Sequence, residues 1–381
     1  MGEAALDEGE ASSVSAALGA RLRRQIDQVI AEAGGWLPFD RFMALALYAP
    51  GLGYYARDNR QFGLMLSSGS DFVTAPELSP LFGQALAAQV AQALAASESD
   101  MVWEFGAGSG ALAQQLLSAL GGRVRSYCIV ELSGSLRERQ RERLAAFGPR
   151  VRWLDAWPDT MHGVVVGNEV LDAMPVQLLN WDGSRWFERG VACTADGYAW
   201  QDRPTLLTPP FPPPGTPPGE HFVSGYVTEV HAQAEAFVAT LAERLTRGAA
   251  FFIDYGFPDA EYYHPQRSGG TLMCHRAHRA DADPLADIGE KDITAHVDFS
   301  GIAVSAQDAG LEVLGYTSQA RFLLNCGLPG LLQATGPRER THAMKLIDEH
   351  EMGELFKVIG FARGCAFDAI GFAEGDRSHT L

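Results

Sequence analysis

The 381-residue chain predicts an α/β fold: a Rossmann-like parallel sheet with helices on both faces, a helical N-terminal extension, and β-hairpin and loop insertions. Two observations carry this. Apolar runs at 101–105, 126–131, 151–155, 163–168 and 249–255 alternate with helically spaced stretches near 109–120, 133–146 and 226–247. That is the pattern of buried strands joined by crossover helices. The first run, Met101-Val102-Trp103-Glu104-Phe105, also leads into Gly106-Ala107-Gly108-Ser109-Gly110 and then a helical stretch from Ala111. A strand, a glycine turn and a helix in that order build a nucleotide site at the strand's C-terminal end. Glycine turns sharply there and admits a ligand with no Cβ in the way.

The elements follow in order. Residues 1–18 are acidic and rich in Ala, Ser and Gly, and read as a disordered tail. They carry neither the basic start and apolar core of a secretory signal nor the arginines of a mitochondrial presequence, so a cytoplasmic location is expected. Residues 19–97 form a helical region. Leu22, Ile26, Val29 and Ile30 mark one helix, and Phe42, Leu45 and Leu47 mark another that starts at Pro38 and ends before Pro50-Gly51. Leu52 to Phe72 reads as a loop, and Ser79-Pro80 as the N-cap and first residue of the next helix.

The core occupies 98–381, with insertions at 176–225 and 256–300. Trp181-Asp182-Gly183 and Ala195-Asp196-Gly197 are turns between β-prone runs, predicting a hairpin sheet. The proline-rich stretch 209–219 reads as an extended loop. Residues 256–300, rich in His, Arg and Asp, suit a functional loop region. Leu311–Tyr316 and Phe356–Phe372 look like an antiparallel finish.

Composition narrows the function. Hydrophobic residues make up 46% of the chain, enough for a sizeable core. No apolar run approaches the roughly 18 residues of a membrane span. The five scattered cysteines point to a reducing compartment. A net charge of −17 argues against nucleic-acid partners, which lysine and arginine would have to hold. The amphipathic stretch 226–247 offers either a homodimer face or a face buried on its own sheet.

The glycine turn leaves two cofactors open. Gly106, Gly108 and Ala111 satisfy a dinucleotide pattern, with Glu131 ending the next strand. Two details favour S-adenosylmethionine. Glu104 precedes the first glycine, where a carboxylate meets a methionine amino group well and a pyrophosphate badly. Gly110 keeps the turn open. Glu131 is placed to accept from both ribose hydroxyls.

Further constellations lie at presumed strand ends. Asn168 ends the run Val164-Val165-Val166-Gly167, and Glu169 and Asp172 follow three apart, sharing a face if a short helix starts there. Paired carboxylates can grip a guanidinium and remove its proton; helix capping and a macrodipole preference are the plainer alternative. Thr74 and Pro76, in Asp71-Phe72-Val73-Thr74-Ala75-Pro76-Glu77, belong to a loop that either folds over the cofactor or merely enters a helix. Asp254 and Tyr255 end another strand, where they either touch the acceptor or simply terminate the strand. Cys274-His275-Arg276-Ala277-His278 invites a zinc reading, but no second ligand pair follows and no metal is expected. His278 and His296 read as acceptor-side or structural, and His221, His231 and His264 as surface or loop residues.

Together these stretches resemble the MidA-like family, which includes a mitochondrial complex I assembly arginine methyltransferase and bacterial relatives. The resemblance rests on Leu47-Tyr48-Ala49-Pro50 with Gly53-Tyr54-Tyr55, on Asp71 to Glu77 with Ser79-Pro80, and on Glu104 to Gly110. It continues through Val130-Glu131 with Ser133, Leu136 and Gln140, then Asn168 to Pro175. Asp254-Tyr255-Gly256, Gly270-Thr271-Leu272 with His278, and Asp292 to Phe299 complete it. Two departures are Ser70, where the family has glycine, and the acidic amino terminus.

The resemblance implies a class I methyltransferase fold, S-adenosylmethionine as cofactor, and protein arginine as acceptor. Cofactor contacts are then expected from Thr74, Pro76, Glu104, Gly106, Gly108, Gly110, Glu131 and Asn168, and catalysis from Glu169, Asp172, Asp254 and His278. Three alternatives stay open: a cofactor-binding assembly protein without turnover, a small-molecule methyltransferase, and a nicotinamide oxidoreductase.

Overall fold

In the computed structural model, which describes residues 8–57, 73–212, 216–276 and 279–381, an eight-stranded sheet runs through the centre. Its main strands are β1 (Met101–Phe105), β2 (Ser126–Val130), β3 (Val151–Leu154), β4 (Met161–Asn168), β5 (Leu245–Phe257), β6 (Glu312–Ser318) and β7 (Phe356–Arg363). They lie in the order β6-β7-β5-β4-β1-β2-β3. The strands β1 to β5 are parallel, and β7 runs antiparallel between β5 and β6. The short strand Val297–Asp298 pairs with the end of β5. This is the expected class I methyltransferase sheet.

Strand periodicity divides the core. Val164 and Val166 face one layer with Val102, Phe251 and Ile253, while Val165 faces the other with Trp103, Phe105 and Phe252. Successive side chains of a strand point to opposite faces, so a run of three valines serves both. Helices Leu81–Ser97 and Ala111–Leu120 cover the first face. Ala232–Arg244 and Phe299–Asp308 cover the second. The chain reverses direction across the sheet between β1 and β4, and open α/β sheets bind ligands beyond the strand ends at such a switch point.

The insertions close over that edge. A five-stranded antiparallel sheet joins Gln177–Trp181, Trp186–Thr194, Gly197–Pro204 and Tyr226–Val230 to Leu37–Pro38. Leu22, Ile26, Ile30, Phe42 and Leu47 of the N-terminal helices share one core with Leu178 and Val191 of this sheet and with Ile293 and Ala295. Extension and insertions therefore pack as one cover.

Three expectations are corrected. Only Ala232–Arg244 of the stretch 226–247 is helical; Tyr226–Val230 is a strand paired with Gln177–Trp181. Its β-branched and aromatic residues suit a pleated surface. The helix that remains buries Ala234, Val238, Leu241 and Ala242 against its own sheet, which accounts for its apolar face. The first helix, Glu8–Glu32, takes in residues 8–18, assigned above to the tail. Ala and Glu favour helix, and extending a helix already nucleated costs little. Finally, the 256–300 region contains a three-stranded sheet, Met273–Arg276 with Arg279–Asp281 and Asp292–Thr294.

No helix among the described residues is long and apolar enough to cross a membrane.

Candidate active site

A cavity of about 880 Å³ opens at the C-terminal ends of β1, β2 and β4. Its floor is the glycine turn. Gly106, Gly108 and Gly110 adopt φ values of +64°, +50° and +81°, a left-handed backbone that glycine accepts without strain. A Cβ on Gly106 would stand 2.7 Å from Val170 Cγ2. Gly106 and Gly108 line the cavity, whereas Gly110 caps the following helix and does not.

Two carboxylates stand at the cofactor end. Glu104 is 2% exposed and accepts a hydrogen bond from the Tyr127 hydroxyl at 2.8 Å. Burial pushes its pKa up to about 8; the Tyr127 bond pulls it down and Glu131 adds repulsion. Such a carboxylate is poised for a ligand cation. Glu131 Oε1 accepts from the Ser133 amide at 2.8 Å, and Oε2 from Gln140 Nε2 at 3.2 Å. That leaves acceptor capacity on both oxygens for a diol.

Gln140 also donates to the Gly108 carbonyl at 2.9 Å and accepts from Trp153 Nε1 at 2.9 Å. It locks the glycine turn to Glu131. Beyond Glu131 the wall is Leu132, Asp155, Trp157 and Phe237. The Trp157 ring lies 4.6 Å from Phe105 and 5.0 Å from Phe237, an apolar slot with one acid at its rim, suited to a purine. Neither Gln140's linking role nor this slot is evident from the sequence. The acidic end of the run 151–155, followed by tryptophan, is the signal available there.

Thr74 and Pro76 line the cavity, and their segment is tied to the glycine turn. Glu77 accepts from Arg143 at 2.8 Å and from the Ser109 hydroxyl. Gln115 Nε2 donates to the Pro76 carbonyl at 2.6 Å. Asp71 and Phe72 lie outside the described residues.

The acceptor end is built by the turn after β4. Asn168 Nδ2 donates to Glu169 Oε1 at 2.8 Å, while Asn168 Oδ1 is buried in the cavity wall without a partner. Glu169 has a left-handed φ of +54°, a costly conformation for a non-glycine residue and one that clusters at functional sites. Burial raises the Glu169 pKa to about 8, with Asp254 adding to the rise and the Asn168 bond opposing it. Asp172 is pushed well above the usual carboxylate range by burial, Asp254, Glu169 and Asp292.

Asp254 is not placed toward the acceptor. It is 1% exposed, and its Oδ2 accepts from the amides of Val170, Leu171 and Asp172 at 3.0, 2.8 and 3.3 Å. Its carboxylate is consumed in holding the turn, while the adjacent Tyr255 lines the cavity. His278 lies outside the described residues. His296 stacks on Tyr255 at 6.1 Å and does not line the cavity. His275 does. Among the described residues no group of three or more His, Cys, Asp or Glu is arranged to hold a metal.

The N-terminal extension and the 256–300 insertion also bring Tyr48, Tyr55 and Asp292 to the cavity. No lysine or arginine lines it among the described residues. Phosphate groups would find no cation here. An amino group at Glu104, a diol at Glu131 and a cationic acceptor at Glu169 and Asp172 would each find a partner, and the unpartnered Asn168 oxygen offers a further acceptor.

Comparison with known proteins decides the family. A model for S-adenosyl-L-methionine-dependent methyltransferases matches residues 85–317. The chain belongs to that methyltransferase family. A COG1565 superfamily member from Burkholderia thailandensis, solved bound to S-adenosyl-homocysteine, is 51% identical to it. The two match over 100% of each chain with a TM-score of 0.89.

Protein arginine methyltransferase NDUFAF7, mitochondrial, of Danio rerio is 28% identical over 371 residues, 85% of this methyltransferase and 83% of its own length. The Caenorhabditis elegans homologue is 27% identical over 349 residues, 82% and 78% of the two lengths. The MidA-like resemblance is upheld, the cofactor is S-adenosylmethionine, and the nicotinamide alternative falls. The cytoplasmic expectation is overturned, since these relatives are mitochondrial proteins by name.

Proposed function

We propose that this methyltransferase transfers the methyl group of S-adenosylmethionine to an arginine side chain of a protein. The observation that carries the reading is the acceptor end: half-buried Glu169 and buried Asp172, with no lysine or arginine among the described lining residues. Like charges buried together disfavour their ionised forms, and a ligand cation relieves this. A guanidinium presents its donors in a planar fork that matches carboxylates. The curated relatives named as protein arginine methyltransferases support the same acceptor.

Bound S-adenosylmethionine supplies an electrophilic methyl group on a sulfonium. The chain's own residues do the rest. Glu104 would hold the amino group and Glu131 the ribose hydroxyls, with Gly106 and Gly108 leaving room for the ligand in the cavity they line. Asn168 fixes Glu169 Oε1. Glu169 and Asp172 then orient the acceptor nitrogen, and Glu169 takes the single proton that nitrogen loses. Alignment is the main contribution, because holding two reactants in line removes much of the entropic barrier.

The test is transfer of an isotopically labelled methyl group to extract protein by the purified enzyme, followed by hydrolysis to amino acids. Label in methylarginine is expected. Label confined to small molecules, or to another amino acid, overturns the reading. Binding without transfer to any acceptor favours the assembly-protein alternative.

A further inference from the structure

A third carboxylate reaches the acceptor end, and it comes from a different part of the chain. Asp292 opens the strand Asp292–Thr294, is 2% exposed, and lines the cavity. The Tyr55 hydroxyl donates to its Oδ1 at 2.8 Å. Across the antiparallel pair Asp292 stands opposite His275, which lines the same cavity. Lys291, the preceding residue, is committed to Asp281 at 2.8 Å.

Backbone contacts fix this arrangement on the Glu169 turn. The Ala295 amide donates to the Asp172 carbonyl at 3.0 Å, and the Tyr48 hydroxyl to the Ala173 carbonyl at 2.8 Å. The Tyr48 and Tyr55 rings stack with centroids 5.5 Å apart. Asp292 adds to the repulsion that raises both Glu169 and Asp172. Extension, turn and insertion thus converge on one small volume with carboxylates and aromatic faces.

Two carboxylates on one turn satisfy an ammonium as well as a guanidinium. An ammonium is a compact, strongly hydrated point charge, whereas a guanidinium spreads five donors around a plane and lies well on an aromatic face. A third acceptor group on a separate element, beside two tyrosine rings, gives the planar ion one more donor contact and a face to stack on, and so favours it over the compact, strongly hydrated ammonium. We propose that Asp292, held by Tyr55, is the specificity-determining residue that makes this site take a guanidinium in preference to an ammonium. This rests on the arginine reading above.

The test uses two peptides identical except for arginine or lysine at the acceptor position, with wild type, Asp292→Asn and Tyr55→Phe. Steady-state kinetics is paired with calorimetric titration of S-adenosyl-homocysteine, and of the arginine peptide into the homocysteine-loaded protein. Losing a charge-assisted contact is worth about 10- to 100-fold. In Asp292→Asn, KM and Kd for the arginine peptide should rise by that factor, with kcat changed less than about threefold and the arginine-to-lysine preference reduced. Tyr55→Phe should move the same quantities less. Unchanged KM and Kd in an Asp292→Asn protein that still binds S-adenosyl-homocysteine overturns the inference. If Asp292→Asn fails to bind S-adenosyl-homocysteine, unchanged values in Tyr55→Phe overturn it instead. Absence of arginine methylation by wild type overturns the arginine reading itself, a result no variant is needed to see.

Discussion

The Asp254 carboxylate and the Leu171 amide lie 2.8 Å apart across 83 positions of sequence. The same oxygen also takes the amides of Val170 and Asp172. One buried acid at the end of β5 therefore sets the turn that aims Glu169 and Asp172. Asp254→Ala leaves these amides without a partner, each at a cost of about 1–3 kcal/mol. Denaturant unfolding should show a loss of at least about 3 kcal/mol, with kcat falling alongside. Unchanged stability contradicts the positioning role.

Gly106 makes a sharper demand on the cofactor end. Its φ is +64°, and an added Cβ would come within 2.7 Å of Val170 Cγ2, so no side chain fits. Gly106→Ala places strain of about 1–2 kcal/mol in the turn and pushes it toward the ligand. S-adenosyl-homocysteine affinity should fall at least about tenfold, read by calorimetry; equal affinity means the turn does not contact the ligand.

Cofactor binding should depend on pH through Glu104. Burial raises its pKa to about 8, so below that pH the free protein holds it protonated, and a ligand ammonium favours the carboxylate. Binding then releases a proton, and affinity rises from pH 6 to pH 8. For the free protein the sign is opposite. A raised acid pKa contributes stability that is fully present below the ordinary value and lost as pH rises through about 8. The increase in Tm on adding S-adenosyl-homocysteine should therefore be larger at pH 8 than at pH 6, and smaller in Glu104→Gln at pH 8. A flat response contradicts the pairing.

Much of this is legible in the sequence because it is local. The run Met101–Phe105 and its glycines specify strand, turn and helix within a few positions, and the three valines of β4 declare a strand buried on both faces. Thr74, Pro76, Glu104, Gly106, Gly108, Glu131, Asn168, Glu169 and Asp172 all line the one cavity. What is not legible depends on contacts between distant segments. Asp254 sits at a strand end like any site residue, and only folding reveals that its oxygens are taken by amides. Tyr55 and Asp292 are 237 positions apart, and no periodicity announces that they touch. The stretch 226–247 misleads because its apolar spacing runs on from the strand Tyr226–Val230 into the helix.

We propose that Glu169 acts on the acceptor and not on the cofactor. The most direct measurement compares wild type with Glu169→Gln in two assays on the same preparations: calorimetric titration with S-adenosylmethionine, and labelled methyl transfer to arginine-containing protein. Cofactor affinity is expected within about threefold of wild type and transfer reduced at least about 100-fold, the contribution of a positioned general base. Normal transfer by Glu169→Gln, or loss of transfer that merely follows loss of cofactor affinity, would contradict it.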